Sequence, residues 1–249
     1  MGNLMKTEWY KLKKDRSFRT LALILIIFSV LYPFTMQSNE GVSKLSLSEF
    51  FLYQVLSINS DIVKLIPCIF AGFFITSEYS NGTMKSIASS GNSRLRIYFA
   101  KLIMFSIGSI LIMLILPIFM TTSVNLFFDF NGATDWIFIL KAFVVVTLYA
   151  AAFASIMAII ATIFTDSGKT IGLLIMFFAL VNSILDFISS KITSLKTIID
   201  HTVFMLYPKI YKLDQLDHTE FTTLILIPIL TFIVLGILGS FIFRKKEIK

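Results

Sequence analysis

The sequence predicts an all-α, polytopic membrane protein with six transmembrane helices, and three observations carry that prediction. Hydrophobic residues make up 56% of the 249 positions, with 26 phenylalanines and a mean hydropathy of +0.84, far above what a soluble domain needs. Six apolar stretches are long enough for a hydrocarbon core of about 30 Å, which takes roughly 20 residues at 1.5 Å each. The charges gather at the ends of these stretches. We expect spans near 18–37, 58–76, 97–124, 136–164, 170–188 and 221–243, forming a single transmembrane domain over 1–249.

Six spans put both termini on one side, and basic residues identify it as the cytoplasm. With the termini inside, 15 of the 22 Lys and Arg but only five acidic residues face inward, giving +10 inside and −3 outside. The net +7 is therefore a topology signal. It does not point to nucleic acid, because no basic stripe is interleaved with aromatics.

Residues 1–16, MGNLMKTEWYKLKKDR, place Met5, Trp9 and Leu12 at helical spacing with lysines on the other faces. That pattern predicts an amphipathic helix at the inner membrane surface, its indole at headgroup level. The first span follows a basic segment, but its apolar run is too long and lacks the small-residue cleavage site of a signal peptide. The second span carries Cys68, the single cysteine, so no intramolecular disulfide is available. Asp61 and Lys64 stand at i, i+3 in its outer part. They either pair as an outer gate or sit apart, the lysine snorkelling and the aspartate among headgroups.

A cytoplasmic loop then brings its own short helix. Ser80 or Asn81 can cap it, and Met84, Ile87 and Ala88 form an apolar stripe that needs the bilayer surface or a partner to cover it. The SSGN stretch ends this helix, and Asn92 or Ser93 can cap the third span. Pro117 and Pro228 should kink the third and sixth spans, since each removes a backbone donor. Ala150, Ala154 and Ala158 give the fourth span a small-residue face for close helix packing. The outer segment 189–220 mixes apolar pieces with charges, and is expected to form one or two short helices dipping towards the membrane.

Chemistry is conspicuous mainly where it fails. TDSGKT, residues 165–170, ends like a phosphate-binding loop, but the first glycine of that motif would fall on Ile163 and no strand precedes it. The chain is therefore expected to bind no nucleotide, cofactor or metal itself. There is no hydrolase or metal-ligand spacing, and His201 and His218 both lie in the outer segment. The spans also lack the midplane acids of ion-coupled carriers.

The layout resembles the type-two ABC exporter permeases of bacteria, particularly short six-span members that serve peptide export and lantibiotic or bacitracin self-protection. Its most specific stretch is SEYSNGTMKSIASSGNSRLRIYFAKL, similar to the family's glutamate, Gly-Thr-x-Lys, Ser-Arg and following lysine, here Glu78, Gly82, Thr83, Lys85, Ser93, Arg94 and Lys101. The basic start, the Ser-Gly-Lys turn and the FRKKEIK ending support it, while the polar SSGN departs from relatives with apolar residues and a proline there.

The resemblance implies a multi-pass protein of the bacterial plasma membrane, served by two copies of a separate ABC ATPase that hold ATP and Mg. A second permease, identical or homologous, would complete it. The helix from Thr83 to Ser89, with Met84 and Ile87 in the ATPase groove, would be the coupling helix, and Gly168 with Lys169 would form a second cytoplasmic turn. Phe70, Phe73 and Asn182 would line the path of an amphipathic or hydrophobic substrate. Two other readings stay open: a substrate-binding subunit of a vitamin importer, excluded by a stable complex with an ATPase alone, and a non-transporting immunity or sensor protein, whose protection would survive loss of ATP hydrolysis.

Overall fold

The computed structural model describes residues 2–36, 46–89, 91–128 and 134–247. Ser90 of the SSGN stretch and Lys249 of the ending lie outside them. Among the described residues every regular element is helical, as expected of a chain whose backbone groups must bond within their own segment in lipid. Six helices are long and apolar enough to span a membrane.

The interfacial helix α1 (Gly2–Lys14) leads into the first spanning helix, α2 (Arg16–Met36). The second span, α3, runs over Leu47–Ser80 and begins about ten residues before the expected boundary. Ser46 starts it with a capping box to Glu49, and Phe50, Phe51 and Val55 are buried. The polar Ser48, Glu49 and Gln54 interleaved with them dilute the hydropathy, which hid this segment from the sequence reading. α3 is also irregular. Wide π-turns occupy Phe51–Val55 and Gly72–Thr76, and a 3₁₀ turn at Val63–Leu65 precedes Pro67.

The short helix α4 (Thr83–Ser89) precedes the long spans α5 (Arg94–Phe127) and α6 (Trp136–Ile163). Then come α7 (Ser167–Lys191), the outer helices α8 (Thr193–Asp200) and α9 (Val203–Leu206), a 3₁₀ turn at Tyr207–Lys212, and α10 (His218–Lys245). Windows of α3, α5 and α6 are 53–56% buried, against 17–22% for α2, α7 and α10, so the first three are the centre and the others the rim. Ala150, Ala154 and Ala158 are buried within the chain itself, where α6 packs most extensively against α10.

The expected dip of the outer segment takes a definite form. Phe204 of α9 stacks on Phe153 of α6 with centroids 5.6 Å apart, and meets Phe177 and Phe178 of α7. Phe153 and Phe177 lie about ten residues from the ends of their helices at Ile163 and Ser167, roughly 15 Å, so α9 reaches the middle of the bundle. Tyr207, buried behind it, accepts a hydrogen bond from Asn59 Nδ2 at 3.3 Å, and Tyr211 donates to the Leu56 carbonyl. Aromatic packing thus closes the outer half of the bundle.

Candidate functional site: a buried charge latch and the short helix beside it

At the end of the bundle that carries both α1 and the C-terminal end of α10, four charged residues far apart in sequence meet. Lys101, entering the membrane on α5, pairs with Glu8 of α1 at 2.7 Å and with Glu78 at the end of α3. Glu78 also accepts from Lys11 of α1 at 2.5 Å. The Lys101, Glu8 and Glu78 side chains are 5, 6 and 9% exposed, so these charges face one another instead of water. Isolated, each would be prohibitively costly to bury; alternating in sign, they neutralise one another. Lys11 is further held by the Phe74 carbonyl at 2.6 Å and lies over the Phe74 ring. Burial pushes its ammonium pKa below the usual lysine value, the neighbouring Lys101 charge adds to this, and Glu78 opposes it.

The sequence pattern for α1 is corrected here. The face that docks is Leu4, Met5, Glu8 and Leu12, while Trp9 is 40% exposed. Glu8 sits one helical turn from both Leu4 and Leu12, in the middle of an apolar face, and that placement was the available signal for its role.

The latch anchors α4. Gly82 and Gly91 flank it with φ of +70° and +79°, left-handed conformations that favour glycine. Thr83 Oγ1 donates to the Glu78 carbonyl at 3.3 Å, which ties the helix start to the latch. Its apolar stripe faces inward: Met84 is 1% exposed and Ile87 packs against the core. The expectation that both side chains await a partner's groove is therefore corrected for Met84, which the chain covers itself, while Ile87 is only partly covered and borders the cleft beside α1. What α4 presents outward is polar: Thr83, Lys85, Ser86 and Ser89. A cleft of about 650 Å³ separates its Ser86 edge from Asn3 and Thr7 of α1.

The C-terminal tail knits the same face. Lys246 Nζ donates to the carbonyls of Thr162 at 2.5 Å and Phe164 at 3.1 Å, at the C-terminal end of α6, and lies 3.6 Å from the Tyr79 ring centre. A cation there meets the negative end of the helix dipole. Burial nonetheless pushes the Lys246 pKa down to about 8. Arg94 donates to the carbonyls of Arg244 and Lys246, which closes the end of α10. Positive-inside counting assigned these residues a topological role and missed their contacts.

Gly168 and Lys169 are placed differently from expectation. Asp166 caps α7 by accepting from Lys169 N–H at 2.8 Å, so Gly168 and Lys169 lie in its first turn and the connecting turn is Phe164–Asp166. Both remain exposed. Ser93, not Asn92, accepts the capping bond at the start of α5. Beside the turn, α7 approaches α3 so closely that a Cβ on Gly72 would collide with Ile171, and Thr76 shares a polar contact with Thr170 and the Ala161 carbonyl.

The three expected path residues do not converge. Phe70 is fully buried among Phe18, Phe74 and Phe105. Phe73 is 45% exposed near the inner end of α3, whereas Asn182 is half-buried in the outer half of α7, its Oδ1 without a hydrogen-bond partner among the described residues. Asp61 and Lys64 feel each other's charge but form none of the described ion pairs. The helix breaks at Ile62 and continues as a 3₁₀ turn, so the i, i+3 geometry of an α-helix is lost between them.

Six spans, a short amphipathic helix locked to the bundle and a glycine-bracketed helix at the same end make up a polytopic membrane protein. The chain belongs to the ABC-2 family of transporter proteins: the family profile matches residues 4–184, from α1 into the outer half of α7. No individually curated protein matches it. The protein is thus a multi-pass permease subunit of an ABC transporter, a family of membrane transport components that are typically non-catalytic.

Proposed function

We propose that this permease exports an amphipathic or hydrophobic substrate, a peptide or peptide antibiotic, from the bacterial cytoplasm, with both termini inside. Two copies of a separate ABC ATPase, holding ATP and Mg, act on the cytoplasmic face, and a second permease, identical or homologous, completes the path. The observation that carries this reading is the mechanical continuity of the latch. α4 follows directly on Glu78, which is held from α5 by Lys101 and from α1 by Lys11, so displacement of α4 pulls on three elements at once. The docking surface is the polar side of α4, with Lys85 and Ser86 at its centre and Lys169 at the neighbouring turn. An aromatic interior with an apolar outer closure suits an amphipathic chain better than a sugar or ion.

The test is co-purification of a Walker-motif ATPase from native membranes with the tagged chain. Lys85→Glu with Ser86→Glu should abolish recovery of that ATPase while leaving detergent-extracted stability unchanged, since both side chains are exposed. Recovery at the level of the unsubstituted chain would refute the docking assignment.

A further inference from the structure

Between the outer halves of α7 and α10 lies a cavity of about 740 Å³ that the transport cycle described above does not use. The two helices hardly touch each other directly. Val181 and Leu185 form one wall, Leu230 and Val234 the other, and Phe204 lies between them. Leu230 and Val234 are about half exposed, so the cavity opens sideways between two helices long and apolar enough to span a membrane.

Two arguments decide what fills it. An empty apolar gap forfeits the dispersion contacts of its lining. Water is a poor occupant, because it needs two to four polar partners. The threonine hydroxyls of the lining are already engaged: Thr202 donates to the Ile199 carbonyl and Thr231 to the Ile227 carbonyl, each at 2.8 Å. A flexible hydrocarbon chain entering from the bilayer satisfies both conditions. The remaining polar group is His201, at the end of α8. Its Nδ1 lies 2.7 Å from the Thr197 carbonyl, which can only accept, so Nδ1 carries the proton and Nε2 is left to accept from a ligand. His201 lines the same cavity as Leu185, inside the outer end of α7 at Lys191. A polar side chain at that depth calls for a polar partner.

We propose that this cavity is a lateral binding site for an outer-leaflet glycerophospholipid. One acyl chain lies between α7 and α10 against Phe204, and a hydroxyl or ammonium of the polar part donates to His201. By filling the gap the lipid holds α8 and α9 in their inserted position.

Phe204→Trp, in a Trp9→Phe, Trp136→Phe background, places a single indole at the cavity. In vesicles of phosphatidylglycerol brominated on one acyl chain, its fluorescence should fall severalfold relative to unbrominated vesicles. Thr231→Phe, which puts a ring where the acyl chain would lie, should restore part of it. Leu185→Trp in the same background provides a second reporter should the indole on α9 perturb that helix, with the same expectation. An unquenched reporter at both positions, or quenching that Thr231→Phe leaves unchanged, would overturn the proposal, the second outcome showing lipid at the surface alone. Loss of ATPase co-purification bears on the coupling assignment and leaves this result unaffected.

Discussion

Replacing Lys101 with methionine tests the latch most directly. The change keeps the length of the side chain but removes the cation between Glu8 and Glu78. Glu78 retains Lys11 at 2.5 Å, whereas Glu8 loses its ion-pair partner while only 6% exposed. Removing one member of a buried pair costs about 3–5 kcal/mol. The lower end applies here, because Lys11 is 26% exposed and α1 can leave the site to rehydrate Glu8. About 3 kcal/mol corresponds to a roughly hundredfold rise in the undocked population of α1. Leu12, 2% exposed under α1, reports that population as Leu12→Cys in a Cys68→Ala background. Maleimide labelling of the introduced thiol should accelerate by about that factor in Lys101→Met, and Glu8→Gln added to it should reverse most of the gain. A labelling rate within a factor of about two of the parent would refute the claim that these charges hold α1 in place.

Three further outcomes follow from the same face and from the helix contacts above it. Gly72→Leu should force α7 away from α3 at a cost of about 1–3 kcal/mol. The oxidative cross-link between Thr76→Cys and Thr170→Cys, whose hydroxyls lie 3.4 Å apart in the parent, should then lose most of its yield. Gly82→Ala should cost about 1–2 kcal/mol of local order at the entry to α4, because φ there is +70°; hydrogen exchange of α4 amides would register it, and unchanged protection would disprove it. Lys246 binds its proton less tightly when docked, near pH 8 against 10.5 when free, so the undocked tail carries more protons between these values. Docking should therefore tighten as pH rises from about 8 to 10 and stay flat below 8, read by protease cutting after Lys245; a tail that loosens over that rise contradicts the assignment.

The sequence by itself determined the number and course of the membrane helices, because a 20-residue apolar run in lipid has no alternative to bonding its own backbone. It also offered Ser93 as a cap for the third span, which the structure bears out, whereas the cap at Asp166 moved the next turn upstream of Gly168 and Lys169. These are local matters, decided within a few residues by hydropathy, spacing and hydrogen-bonding groups. The family resemblance likewise rested on a contiguous stretch around Glu78. Tertiary structure alone decided which charges meet, since Glu8 and Lys101 stand 93 positions apart and Lys246 reaches a carbonyl 84 positions away. It decided that Met84 turns inward, because periodicity marks a face as apolar without saying whether the chain or a partner covers it. It separated Asp61 from Lys64 as an ion pair by breaking the helix between them, and it inserted Phe204 among three phenylalanines of α6 and α7. In each case the deciding term is the desolvation or packing of one side chain by residues distant in sequence, a quantity that exists only once the helices have been brought together.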